Sequence, residues 1–436
     1  NTTAESGGVG GEVLIHHTTT TGNKAITLNA GIVASGGASV ESGDTGGNGA
    51  VVTIRNQDGN IVLHNITTDG GAPGGGTAGV GGKIQLRTET TGRTITQTGG
   101  TTLFARGGTA GTNDGSLKID ATGAVTLTEA NNVGTLAGSL SDLGADLSYT
   151  DATGLTVGSL GAAGTGAASV GAKTGLVTNG GDVPLTATGA LTVNEAISTV
   201  STTAGTAGGT VVLEADGGIT LASNGTITTT GNGAAPGGEI FVHNIATAGG
   251  DITLGKAITA KGGATDNAAS DGAVVTVLNE NGAIAINDTI DVSKGAALGA
   301  DGAIQLKASG NITDGTSGLL KGNTEGKLLA YSTGGSVTLD LTAGHQLATV
   351  SLQSDKTGGA GTLTYYDSDA LTLATAGGSG TLSAVSGSNA SSVAATTTGA
   401  KTVAGGTNGA VVVRAGKSAT GALTVNEAIS TVSTTA

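Results

Sequence analysis

The heptapeptide Gly10–His16, GGEVLIH, returns as Gly237–His243, GGEIFVH, 227 residues further on. The correspondence continues along the chain. ITL stands at 26–28 and 252–254, GAVVTI at 49–54 faces GAVVTV at 272–277, and IQL stands at 84–86 and 304–306. LSYTD at 147–151 matches LTYYD at 363–367, and Thr188–Ala204 reappears letter for letter as Thr420–Ala436. The chain is nearly two copies of one long unit, so a repeat architecture is the first hypothesis. The offset drifts from 227 down to 216 and then up to 232. Residues are lost and gained in Gly/Ala/Thr/Asn-rich stretches such as 69–82 and 158–172, while the apolar runs survive. Connections tolerate such changes, whereas strands must keep register.

Within each copy, strand-like runs of four to six residues recur about every 32 residues, with uneven individual steps. They alternate in polarity: Ile84 and Leu86 are expected to point inward, and Lys83, Gln85 and Arg87 outward. Asp-Gly, Asn-Gly and Gly-Gly pairs bound the runs and read as strand ends and loops. A short stretch at Asn194–Ile197 is the one candidate helix. The interior filler is Val, Ile, Leu and Ala. There is no Cys, Met or Trp, only two Phe and four Tyr, and 83 of the 436 residues are Gly. An ordinary globular core draws on larger side chains, while a thin interior repeated many times does not need them. These features predict an all-β fold, a parallel β-helix or β-solenoid, of about 14 rungs of roughly 32 residues. Rungs stacked about 4.8 Å apart make a rod on the order of 65–70 Å long. Residues 1–227 form the first super-repeat and 228–436 the second, continuous with it. A β-propeller is the structural alternative, but its aromatic or Trp-Asp blade signature is absent.

Several function classes are disfavoured. The formal charge of −14 opposes binding to phosphate backbones or anionic membranes, so neither nucleic acid nor membrane insertion is expected. No run approaches the roughly 20 apolar residues of a transmembrane helix. No basic-plus-apolar leader opens the segment, so no targeting signal is visible, and the absence of Met even at position 1 suggests a processed or excised segment. Collagen and disulfide scaffolds are excluded by composition.

The runs GALTVNEAIS, GGDITLGKAITAKGGA, DLSYTDATGLTVGSL and TLTYYDSDALTLATA resemble the filamentous-haemagglutinin-like large exoproteins of Gram-negative bacteria. The resemblance spans essentially the whole chain and lies in repeat grammar rather than in one motif. It implies a right-handed β-helix shaft, export through an outer-membrane pore, and a role in adhesion, aggregation or surface structure. The implied location is extracellular or on the bacterial surface. The implied partners are further copies, end to end or side by side, and a host or neighbouring cell surface or polysaccharide.

No residue is assigned a catalytic, cofactor-binding or metal-binding role. His16 and His243 share one repeat position and read as outward strand residues, since a duplicated catalytic centre is unusual. His17, His64 and His345 carry no motif. A β-helix polysaccharide lyase or hydrolase needs clustered Asp, Lys or Arg and sugar-stacking aromatics, whereas the 18 Lys and Arg are scattered. The acids invite a calcium reading, including a calcium-stabilised surface layer. However, GGASVESGDTGGNGA at 36–50 and GGATDNAASDGA at 262–273 lack the nonapeptide spacing of a calcium roll. Turn solvation and Asx turns account for most acids, leaving weak exposed Ca²⁺ contacts as the only metal reading. Gly71–Gly82 leads into a strand rather than a helix and has no phosphate-loop lysine. Outward threonines could form an ice-binding array only if rungs were equal, and the unequal rungs are expected to prevent alignment. Six Asn-x-Ser/Thr sequons, at Asn1, Asn65, Asn224, Asn287, Asn311 and Asn389, match the chance number for so Ser/Thr-rich a chain. Tyr149 and Tyr365, at matched positions, are expected to fill rungs.

Overall fold

The computed structural model describes residues 7–109, 113–163, 169–247, 249–265, 270–356, 361–374, 400–404, 410–416 and 422–433. Among these residues there is no helix, and strands stack in parallel ladders, so the fold is an all-β parallel β-solenoid. Asn194–Ile197, the candidate helix, is not helical but a bend between two short strands. Asn194 N–H bonds to Val157 O, and Ile197 opens a short strand. The chain divides into two compact units, Asn1–Ile197 and Ser198–Ala436, which do not coincide with the two sequence copies.

In the first unit, Val13–His17, Val51–Asn56, Lys83–Thr88, Ser116–Ala121 and Thr135–Leu143 stack in register as a first ladder. Ile26–Thr27, Ile61–Leu63, Ile95–Gln97, Val125–Asn131, Leu147–Asp151 and Val183–Ala187 form a second. The inward residues Val52, Ile54, Ile84, Leu86, Leu117 and Ile119 are fully buried. Burial stabilises each by about 1.5–3 kcal/mol, which is how small side chains sustain a thin interior.

The second unit repeats the plan. Val211–Ala215, Ile240–Asn244, Val274–Asn279, Ala303–Ala308, Lys327–Ser332 and Thr349–Ser354 form one ladder. Ile219–Leu221, Ile252–Leu254, Ile284–Ile286, Ile312–Asp314, Val337–Leu339 and Leu363–Tyr366 form the next.

The period is an average only. Ser116 pairs with Thr135, a step of 19 residues, whereas Leu363 pairs with Val411, a step of 48. Unequal steps nevertheless leave the rows aligned. Thr220, Thr253, Ala285, Thr313, Thr338 and Thr364 occupy one register row. Threonines thus align along one row, a single residue wide and interrupted by Ala285, which is not the two-dimensional array that ice binding needs.

The glycine-rich connections of the first unit are more than loops. Gly37 N–H bonds to Gly8 O (2.7 Å), Gly47 to Gly37 (2.9 Å), Gly71 to Gly47 (2.7 Å), Gly79 to Gly71 (3.0 Å) and Gly108 to Gly79 (2.8 Å). Six glycines from successive coils thus share one chain of backbone bonds. A Cβ on Gly47 would strike Gly8 O, and one on Gly71 would strike Gly37 O. Glycine is required here by close approach of backbones rather than by a turn.

Asx side chains join one coil to the next. The carboxamide or carboxylate oxygens of Asn65, Asp69 and Asp146 accept the backbone N–H of Thr102 (2.8 Å), Arg106 (2.9 Å) and Asp182 (2.8 Å). Asp251, Asp271 and Asn311 do the same for Ala283 (2.8 Å), Ala300 (2.7 Å) and Ser336 (2.9 Å). The acids assigned to turn solvation thus include several that bond the following rung, and the sequon asparagines Asn65 and Asn311 do the same. Asn1 and Asn389 lie outside the described residues.

Candidate functional site on the outer face of the first ladder

Along the long strands, outward residues fall into two rows. In the first unit one row is Thr53, Gln85, Lys118 and Ala137, and the other is His16, Arg55, Arg87, Asp120 and Ser139. Gln85 has the outward direction expected of it, yet it is fully buried, as is Thr53. The cover over Gln85 comes from far along the chain. The nine-residue strand Thr135–Leu143 pairs through Thr135 and Leu136 with Thr156 and Val157, and through Gly138 and Ser139 with Leu176 and Val177. Between those two partners the chain leaves the ladder as an antiparallel hairpin, Ser159–Leu160 against Lys173–Thr174.

Two lysines hold that hairpin. Lys118 Nζ donates to Gly161 O and Val170 O, both at 2.8 Å. Lys173 Nζ donates to Asp120 Oδ1 and Ser139 Oγ, both at 2.6 Å. Burial lowers the Lys118 pKa below the usual lysine value, and the charges of Lys83 and Lys173 add to the effect. A cavity of about 30 Å³ lies beneath, lined by Lys83, Gln85, Ser116, Lys118, Leu160, Gly161 and Ala163. It has room for about one water molecule.

The second row is an ion chain. Glu89 accepts from Arg55 (2.5 Å) and Arg87 (3.0 Å), Arg87 reaches Asp120 (3.4 Å), and Asp120 meets Lys173. Charges neutralise one another along the ladder instead of converging on a cleft. His16 is half-buried at the head of this row, where burial and then Arg55 depress its pKa.

In the second unit the corresponding rows hold Val212, Phe241, Thr276 and Gln305, then Glu214, His243, Leu278 and Lys307. Val212, Phe241 and Leu278 form a buried apolar cluster outside the ladder. His243 lies on the outward side, as expected, but is only 3% exposed. His17 Nδ1 contacts Asn56 Oδ1 (3.1 Å), and His64 Nδ1 accepts the Asn65 N–H (2.8 Å).

Inside the second unit lies a polar cluster that the sequence reading missed. His345 is fully buried. Its Nδ1 accepts the Leu320 N–H (3.2 Å), its Nε2 faces Asp314 Oδ2 (3.3 Å), and its ring lies 5.2 Å from that of Tyr365. Tyr149 and Tyr365 fill rungs, each with its hydroxyl on an aspartate two residues on. Burial raises the pKa of both tyrosines, and the paired aspartates add to the effect. The repeated Tyr-x-Asp spacing was the signal available in the sequence.

No family model, curated protein or solved structure matches the chain. Among the described residues no three His, Asp or Glu side chains share a metal-binding centre, and no helix is long and apolar enough to cross a membrane.

Proposed function

We propose that this chain is a structural and interaction segment, the β-solenoid shaft of a filamentous-haemagglutinin-like bacterial surface or secreted protein. It acts outside the cell in adhesion, aggregation or matrix architecture, without a catalytic role. Its mechanism is mechanical, with stability summed over neighbouring rungs. The observation that carries this reading is where the polar groups go. Asx oxygens bond the next coil, and the Arg55–Glu89–Arg87–Asp120–Lys173 chain spends its charge along the ladder. A carbohydrate-cleaving site would instead need unpaired acids and bases turned into one groove.

Display of the chain on a non-adherent bacterium tests the proposal. Cells carrying it should aggregate, or adhere to cells or polysaccharide, when cells with an empty display scaffold do not. Sedimentation of the purified chain should show concentration-dependent self-association. Shortening of an acidic polysaccharide by the purified chain would overturn the reading in favour of a lyase or hydrolase. A fall in melting temperature on adding a calcium chelator would favour the calcium-stabilised surface layer.

A further inference from the structure

Two neighbouring outward rows of the first unit carry no acid. One runs Val51, Lys83, Ser116 and Thr135, and the other Thr53, Gln85, Lys118 and Ala137. Lys83 lies opposite Ser116 and Gln85 opposite Lys118, so the two lysines stand on a diagonal of one four-residue patch. All four line the cavity of about 30 Å³, with Leu160, Gly161 and Ala163 of the hairpin forming the rest of its wall. A chain of net charge −14 thus holds a small pocket whose ionisable lining is cationic alone.

The fold does not use up the polar groups of this pocket. Lys118 Nζ gives two N–H bonds, to Gly161 O and Val170 O, and an ammonium carries a third. Gln85 is fully buried, and its Oε1 has no partner among the described residues. Its Nε2 stands 3.4 Å from Thr53 Oγ1, a long contact for a hydrogen bond. A carboxamide has nearly the same shape either way round. Turned over, Gln85 accepts the Thr53 hydroxyl proton through Oε1 and aims its N–H donors at the cavity. Burial, and then the charges of Lys83 and Lys173, lower the Lys118 pKa, and Asp120 offsets them in part. Asp120 is itself engaged by Lys173 and Arg87, so a counter-anion is what the Lys118 ammonium lacks.

We propose that this pocket binds one monatomic anion of the halide class, such as chloride, between Lys83 and Lys118, with Gln85 and Ser116 as the neutral donors. Room for a single water-sized species excludes sulfate, phosphate and carboxylates. The ion satisfies the third Lys118 N–H and the Gln85 carboxamide together, and it screens two like charges that the register sets on one diagonal. Because Lys118 also holds the hairpin carbonyls, occupancy ties the hairpin to the ladder.

The second sequence copy supplies an internal control. IQL at 84–86 returns at 304–306, so Gln305 answers Gln85. Ala303 stands where Lys83 does, and Leu329 faces Gln305 where Lys118 faces Gln85. A single lysine, Lys327, opposes Ala303. Halide binding is expected in the first unit alone.

Titration of the full chain with sodium chloride, balanced by sodium gluconate to constant ionic strength, tests the assignment. Chloride NMR line broadening reads the ion, and hydrogen exchange at 158–163 and 169–175 reads the hairpin. Saturable broadening that bromide displaces is expected, with hairpin exchange severalfold slower in chloride than in gluconate. Lys83→Gln, at an exposed residue that holds no hairpin carbonyl, should weaken binding severalfold, as should Ser116→Ala. Lys327→Gln should leave it unchanged. Absence of saturable broadening, equal hairpin exchange in the two salts, or binding that survives Lys83→Gln combined with Ser116→Ala would overturn the proposal and leave a single water molecule as the occupant.

Discussion

The Tyr365 hydroxyl donates to Asp367 Oδ2 at 2.8 Å inside the second unit, and Tyr149 donates to Asp151 Oδ2 at 2.9 Å inside the first. Each aspartate also reaches back to the preceding coil. Asp151 accepts the Val133 N–H (3.0 Å) and Asp367 accepts the Leu347 N–H (3.2 Å). Each then accepts the N–H two residues on, from Thr153 or Asp369, both at 2.8 Å. One tyrosine therefore fixes a carboxylate that ties two coils and a turn together.

Replacing Tyr365 or Tyr149 by Phe keeps the ring and removes only the hydroxyl. A hydrogen bond to a charged group contributes about 1.5–3 kcal/mol, and loss of the hydroxyl leaves a carboxylate short of one donor. Each substitution should lower stability by roughly that amount in urea unfolding. Because the pairs sit in separate units, the two losses should add when combined.

Burial raises the pKa of Asp151 and Asp367 above the ordinary carboxylate value, and their hydrogen bonds oppose the shift only in part. The folded state then binds more protons than the unfolded state between the ordinary and raised values. Stability from these groups is full below the ordinary value and is lost as pH rises through the raised one. Asp367→Asn removes that titration. The stability of the parent chain relative to Asp367→Asn should rise as pH falls through this window, and a flat difference across it would contradict the assignment.

The strands and their inward residues were legible because alternation is local: Ile84 and Leu86 declare themselves by spacing. Cover on the outward side was not legible. Gln85 is fully buried and shares a small cavity with Leu160, Gly161 and Ala163, and no local pattern links positions so far apart. The glycine pairs were read as turns, since their bonding partners lie in other arms and other coils. In the candidate site, the His16–His243 equivalence was visible, but Glu214 and Glu280 come beside His243 only through stacking.

Lys118 anchors the hairpin through two carbonyls, so Lys118→Met should release it without dismantling the ladder. The methionine keeps the apolar stem and leaves Gly161 O and Val170 O to water. Hydrogen exchange at 158–163 and 169–175 should accelerate by one to two orders of magnitude, corresponding to about 1–3 kcal/mol of local stability. Exchange in Val51–Asn56 and Lys83–Thr88 should stay slow. Equal acceleration in those strands would mean that the hairpin is part of the fold's cooperative unit.

Gly71 sits midway in the glycine chain, bonded to Gly47 O on one side and to the Gly79 N–H on the other. A methyl group there meets Gly37 O, a backbone atom that cannot rotate aside. Overpacking of this kind costs about 1–3 kcal/mol, and here it would also part the bonds that tie successive arms. Ala72, next in sequence, is exposed and already carries a methyl group. Gly71→Ala should therefore lower the unfolding midpoint of the first unit, whereas Ala72→Ser should leave it within about 0.5 kcal/mol of the parent. Equal stability of Gly71→Ala and the parent chain would show that the arms are not packed backbone to backbone.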